Sequence, residues 1–249
     1  MPYPNGPRAT ELKPKNVAFW AFVLVSMVAI VVGYVYVQNR AVPDSEYVSS
    51  YSATAVAPAA DEVRAVVIGD AYAAGAGADS PERGYAHLLG QARCWATTVL
   101  GQAGTGYTVP ATATDATTPF VDRVEDAIAA QPDVVIVQGS TIDPGGITQE
   151  QAATELFTQL TSALPDTKIV AVGPAAAPGV NAATVRASRD AVAAGTEAAG
   201  VTFVDPATAE WLAPTEYDDN GVLPNQQGHS TFAAKLGAEL DSLGVLGGC

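Results

Sequence analysis

The 249-residue chain carries few side chains suited to covalent or acid–base chemistry. Its only histidines are His87 and His229, and its only cysteines are Cys94 and Cys249. A histidine near a serine can act as general base, and clustered His and Cys can hold zinc. Here the histidines stand far apart and in no metal-ligand spacing with the cysteines, so no metal site and no cofactor are expected. Ser140 follows an apolar run but has no candidate base near it in sequence. Ser80, in Asp79-Ser80-Pro81-Glu82-Arg83, reads as a loop and helix start. Asp219 falls in a turn whose geometry points it away from its neighbour Asn220. His87 lies in a helix expected over Tyr85–Gln91, where a packing or surface role outweighs a catalytic one.

The elements that would position such groups alternate in type. Arg64–Ile68 is a short β-branched strand ending at Gly69-Asp70, and Val134–Val137 is fully apolar and of strand length. Lys168–Val172 and Val201–Val204 are further strands. Between them, Asp122–Ala130 has helical spacing, with Val121, Val124 and Ile128 on one face and Pro132 behind it. Thr148–Leu164 repeats Ala152, Leu156, Leu160 and Leu164. Asn181–Gly200 is Ala-rich with Asn181 as its cap, and Asn225–Leu243 is the last helix. Strands alternating with helices imply an α/β domain, a parallel sheet covered on both faces, with ligands beyond the carboxyl ends of the strands.

Charge and hydropathy set the frame. The chain has 12 Lys and Arg against 26 Asp and Glu, a formal charge of -14, which argues against a nucleic-acid partner. Apolar residues make up 48%, enough for a core. Val17–Val37 is a run of 21 uncharged, mostly apolar positions, long enough for one transmembrane helix. It ends in Tyr34, Tyr36, Gln38, Asn39 and Arg40, a poor cleavage site for a signal peptide, so an uncleaved anchor is expected. Arg8, Lys13 and Lys15 against Glu11 give the preceding tail a charge of +2, which places residues 1–16 in the cytoplasm. Residues 38–62 read as an extracytoplasmic linker and 63–249 as the outer domain of a single-pass plasma-membrane protein. The high-Ala, low-Lys composition points to a GC-rich bacterial genome.

Four blocks in order resemble the SGNH hydrolases, the GDSL-like lipases and esterases. Val66–Gly75 is similar to a strand followed by G-D-S-Y, and Gly101–Tyr107 to the family's glycine block. Val134–Asp143 (VVIVQGSTID) is similar to a strand followed by G-G-T-N-D. Asn220–His229 (NGVLPNQQGH) is similar to D-G-V-H-P-N-x-x-G-H. The resemblance implies a flavodoxin-like three-layer α/β/α fold with a central parallel sheet, here preceded by one transmembrane helix. It also implies a serine nucleophile, a histidine base oriented by an aspartate, and an oxyanion held by two N–H groups and an asparagine.

The chain departs from that pattern at each side-chain position. Ala71 stands for the serine, Ile142 for the asparagine, Asn220 for the aspartate and Leu223 for the histidine. Ala71 has no nucleophilic atom, Leu223 accepts no proton, and Ile142 donates no hydrogen bond. What the resemblance leaves is backbone: the turn at Asp70 and the N–H groups of Ala71 and Gly104. In the family the histidine at the position of His229 is structural. Two readings follow. One is a membrane-anchored pseudo-hydrolase that binds envelope glycan, lipid or another envelope protein. The other is an esterase of the same family with a rearranged catalytic site. An outward location would place Cys94 and Cys249 where disulfides persist, and one bridge would satisfy both; two separate thiols are the alternative.

Overall fold

The computed structural model describes residues 26–27, 62–109, 118–245 and 249. The chain divides into two units, Met1–Val56 and Ala57–Cys249. In the first, Ser26 and Met27 are helical; the rest of the expected membrane helix at 17–37, and the linker up to Asp61, lie outside the described residues. Among the described residues no helix is long and apolar enough to cross a membrane.

The second unit is built on five strands: β1 (Arg64–Gly69), β2 (Ala96–Gly101), β3 (Val134–Gln138), β4 (Lys168–Val172) and β5 (Thr202–Val204). All pair in parallel, in the order β2-β1-β3-β4-β5. This is the doubly wound order of flavodoxin-like sheets. The helices are α1 (Tyr85–Ala92), α2 (Val124–Ala129), α3 (Gly146–Ala163), α4 (Ala182–Ala199) and α5 (Gln226–Ser242).

Side chains alternate across the strands and build two cores. Ala65, Val67, Ile136 and Val172 face Leu89 of α1 and Phe232, Leu236 and Leu240 of α5. Val66, Ile68, Val135 and Val137 face Val124 of α2, Leu156 and Leu160 of α3, and Val192 of α4. The strands in the middle of the sheet therefore bury both faces, which is why β3 reads as an unbroken apolar run.

Two readings are corrected. No strand is expected from the sequence at Ala96–Gly101; β2 lies at the sheet edge with residues mostly partly buried, and Thr97 and Thr98 interrupt any apolar run. The helix expected over Asp122–Ala130 is a 3-10 turn at Phe120–Arg123 followed by the shorter α2, and the Arg123 side chain is turned inward and buried. The expected Asn181 cap is present. Asn181 accepts the Ala183 N–H at 2.8 Å, and Gly200 ends α4 in the left-handed region at φ 69°. Asn225 accepts the Gly228 N–H at 3.0 Å and opens α5.

Cys94 and Cys249 form a disulfide with Cα atoms 5.6 Å apart. The bridge sits at the amino edge of the sheet, since the Ala96 N–H beside it donates to the Val63 carbonyl at 2.9 Å. Buried Arg93 fastens the same corner. Its guanidinium donates to Gly237 O at 3.2 Å, Asp241 at 2.9 Å and Val245 O at 3.2 Å.

Candidate functional site

Parallel strands end together, so the loops that follow β1, β2 and β3 gather at the carboxyl edge of the sheet. The segment before α5 is stitched to the first of them. The Tyr72 hydroxyl donates to the Val222 carbonyl at 2.8 Å. Gln226 accepts the Asp79 N–H at 3.0 Å and donates to the Arg83 carbonyl at 3.2 Å. Gly77 (φ 92°) lies so close that a Cβ there would fall 2.2 Å from the Pro224 carbonyl oxygen and 3.2 Å from Leu223 Cβ. Within 217–224, Asp218 accepts the N–H groups of Val222 at 2.9 Å and Leu223 at 3.2 Å, which fixes the turn that carries Asn220.

His229 completes this stitching. Its Nδ1 accepts the Tyr85 N–H at 3.2 Å, so the proton resides on Nε2, which donates to the Ala76 carbonyl at 3.0 Å. Burial lowers its pKa, partly offset by the Ala76 bond. Both nitrogens are committed and the ring is fully buried, so His229 is a structural residue here, as expected.

Two buried carboxylates join the other loops. Asp70 accepts the Tyr72 N–H at 2.9 Å and the Thr141 N–H, linking the β1 loop to the β3 loop. The Gln138 amide nitrogen lies 3.2 Å from the same carboxylate when its oxygen faces the Gly139 N–H. Burial pushes the Asp70 carboxyl up to about 7, against those backbone hydrogen bonds, with Asp143 adding to the rise and Arg123 opposing it. Asp143 accepts the N–H groups of Tyr107 at 2.8 Å and Thr108 at 2.9 Å and the Thr108 hydroxyl at 2.6 Å, tying the β3 loop to the glycine block. Gly106 is required there, because a Cβ would lie 2.1 Å from Asp143 Oδ2. Beneath them Arg123 donates to the carbonyls of Gly69 and Leu100 and to the Thr105 hydroxyl, and burial lowers its pKa to about 10.

All four sequence blocks thus meet at one edge, and the positions of interest can be placed on it. Ala71 is partly buried in the β1 loop, and Leu223 is partly buried against the core. Asn220 and Gly104 are exposed. Ile142 is 44% exposed, an unusual setting for a large apolar side chain. Among the described residues the N–H groups of Ala71 and Gly104 donate to no acceptor. Ser140 is fully buried, and its hydroxyl accepts the N–H groups of Ile142 at 3.1 Å and Asp143 at 3.3 Å; it shapes the loop and offers no nucleophile. Ser80 stands immediately before the 3-10 turn Pro81–Arg83 without a side-chain capping bond, and His87 is half-buried on α1 near Glu82. Asp219 is exposed. The residues that organise the edge but escaped the sequence analysis are Asp143, Arg123, Asp218 and Gln226. The one legible signal among them was an acid closing the third block, in Ser140-Thr141-Ile142-Asp143. Among the described residues no group of His, Cys, Asp and Glu is placed to hold a metal ion.

A parallel sheet of this order, with a Gly-Asp turn after the first strand and three further loops converging on it, is the flavodoxin-like α/β arrangement of the SGNH hydrolases. Residues 67–230 match the GDSL-like Lipase/Acylhydrolase family, and the chain belongs to that family. Solved structures agree on the fold. The lipase/acylhydrolase from Enterococcus faecalis is similar at 15% identity, with 73% of this chain and 96% of that chain covered and a TM-score of 0.57. A family two carbohydrate esterase from Clostridium thermocellum, in complex with cellohexaose, shares 18% identity over 74% of this chain and 66% of that one, with a TM-score of 0.59. A two-domain esterase active on acetylated mannans shares 17% over 73% of this chain and 49% of that one, with a TM-score of 0.58. No curated protein matches in sequence.

Proposed function

We propose that this protein is a membrane-anchored, extracytoplasmic SGNH-like pseudo-hydrolase that binds or scaffolds at the bacterial cell envelope. The observation that carries the reading is the chemistry at the carboxyl edge. A methyl group stands at Ala71, Leu223 and Ile142 cannot move a proton or donate a hydrogen bond, and the nearby His229 has both ring nitrogens in use. The anchor and its orientation rest on the apolar run at 17–37 and the basic tail before it. Envelope glycan is the first occupant to test, with lipid and a second envelope protein as the others, because two of the similar folds belong to a cellohexaose-bound esterase and an esterase active on acetylated mannans.

A second reading, an esterase with a rearranged site, draws on the unpartnered N–H groups of Ala71 and Gly104, which are the backbone half of an oxyanion hole. One experiment separates the two. The full chain is assayed on short acyl esters beside an Ala71→Ser, Ile142→Asn, Asn220→Asp, Leu223→His variant, and both are treated with a serine-reactive phosphonate. The native chain is expected to show no hydrolysis above a heat-denatured control and no label. Stoichiometric labelling or turnover by the native chain would overturn the pseudo-enzyme reading. The topology is tested by adding protease to intact cells, where the domain should be digested; protection would sink it.

A further inference from the structure

A second concavity lies beside the Ala71 edge. A groove of about 500 Å³ opens beyond the carboxyl ends of β4 and β5, within the usual size range of small-ligand sites. Ala176, Pro178 and Val185 supply apolar wall, and Arg186, Arg189 and Glu210 supply charge. The groove is a separate place from the Ala71 loops, although Pro178 and Gly179 at its wall pack on the Asn220–Gly221 turn.

The charges differ in how far they are already satisfied. Arg189 is engaged: it donates to Asp205 at 3.2 Å and Thr208 at 2.9 Å, and also pairs with Asp190. The side chains of Arg186 and Glu210 make no ion pair or hydrogen bond among the described residues. Yet they line the same groove and carry opposite charge. Glu210 is also held in the left-handed region, at φ 47°, where a non-glycine residue is strained. Strain of this kind concentrates at ligand sites because the surrounding structure must hold it in place.

We propose that this groove binds a zwitterionic ligand, a free amino acid or short peptide with small apolar side chains, its carboxylate on Arg186 and its ammonium on Glu210. A guanidinium presents a planar fork that matches a carboxylate, whereas a carboxylate accepts from an ammonium in many directions. Both side chains are exposed, so an uncharged ligand would leave them to water and gain nothing from either charge. A simple anion would satisfy Arg186 and face the Glu210 charge. The apolar wall of Ala176, Pro178 and Val185 gives small apolar side chains a surface to pack on.

The test uses the full chain in detergent and L-alanyl-L-alanine as the probe, titrated by calorimetry beside its N-acetyl and C-amide derivatives. Free dipeptide is expected to bind, and blocking either end to weaken it by about two- to fivefold, since each block removes one ion pair with an exposed side chain. Arg186→Gln is expected to abolish discrimination against the C-amide while keeping discrimination against the N-acetyl form. Glu210→Gln is expected to do the reverse. This crossed pattern cannot arise from misfolding. No binding heat at millimolar dipeptide, equal binding of blocked and free forms, or loss of binding without the crossed pattern would each overturn the proposal. The groove uses none of the Ala71, Gly104, Ile142 or Leu223 positions, so either outcome leaves the pseudo-enzyme reading to its own test.

Discussion

Tyr72 and Val222 are 150 residues apart in sequence, and the hydroxyl of one donates to the carbonyl of the other at 2.8 Å. That bond belongs to a set, with His229, Gln226 and Asp70, that pins loops from both ends of the domain around one edge. The hydrogen bonds that hold these loops together are present whatever chemistry the edge performs. The predictions below probe that scaffold.

Asp70 makes stability depend on pH near neutrality. Its folded value is about 7 and its ordinary value 3.8, so the folded state holds a proton more tightly than the unfolded chain. The stabilisation is fully present below about pH 4 and is lost as pH rises to about 7, by up to about 4 kcal/mol for a shift of this size. Thermal unfolding from pH 4 to 8 should show the decline, and Asp70→Asn should flatten it. An unchanged slope in the variant would refute the assignment to Asp70.

His229→Ala removes the acceptor of the Tyr85 N–H and the donor to the Ala76 carbonyl, both inside the protein. Leaving these groups unpaired costs about 1–3 kcal/mol each. Denaturant titration should give a loss of about 2–5 kcal/mol, in which the vacated ring volume also counts. Because burial lowers the ring's pKa, its share of native stability is present above about pH 6.5 and fades as pH falls below that.

The Cys94–Cys249 bridge closes a loop of 155 residues. In the chain-entropy account a loop of this size contributes about 4–5 kcal/mol. Intact mass should rise by about 2 Da on reduction, and Cys94→Ser should lower the denaturation midpoint correspondingly. Free alkylation of both thiols in the folded, unreduced protein would contradict the bridge.

Gly106→Ala should destabilise by about 1–3 kcal/mol, because its methyl would collide with the Asp143 carboxylate that holds Tyr107 and Thr108. Gly200→Ala is the control: its Cβ meets nothing, and only the left-handed backbone penalises it, by about 1 kcal/mol. Equal effects at the two sites in denaturant unfolding would refute the packing argument.

How much of this was legible in the sequence follows from burial and charge. β1, β3 and β4 announce themselves because sheet strands covered on both sides must be apolar at nearly every position. β2 is half-covered at an edge, so its threonines look like loop. Asn181 declares its helix start through capping chemistry. The departures from the resembled motif at Ala71, Ile142, Asn220 and Leu223 are read directly from residue type: an alanine has no nucleophilic atom and a leucine accepts no proton. Arg123 and Asp218 were not legible, since a charged residue in sequence reads as solvated. Only the fold shows that Arg123 turns inward to three oxygen acceptors. Cys94 and Cys249 could be paired by count and expected location, but their approach to 5.6 Å depends on α5 returning the C-terminus to the corner beside β2.

The position of β1 has a mechanical consequence. The chain enters the domain at Val63, at the amino edge, and runs directly into a strand hydrogen-bonded on both sides, to β2 and to β3. The Ala71 loop lies at the far end of that strand, about 20 Å away for six residues at about 3.3 Å each. A tension applied between the N-terminal segment and anything gripped at the carboxyl edge is therefore directed along β1. The ladders on its two flanks are loaded in shear, all bonds sharing the force, and do not unzip one at a time. The Cys94–Cys249 bridge clamps the corner where that pull arrives.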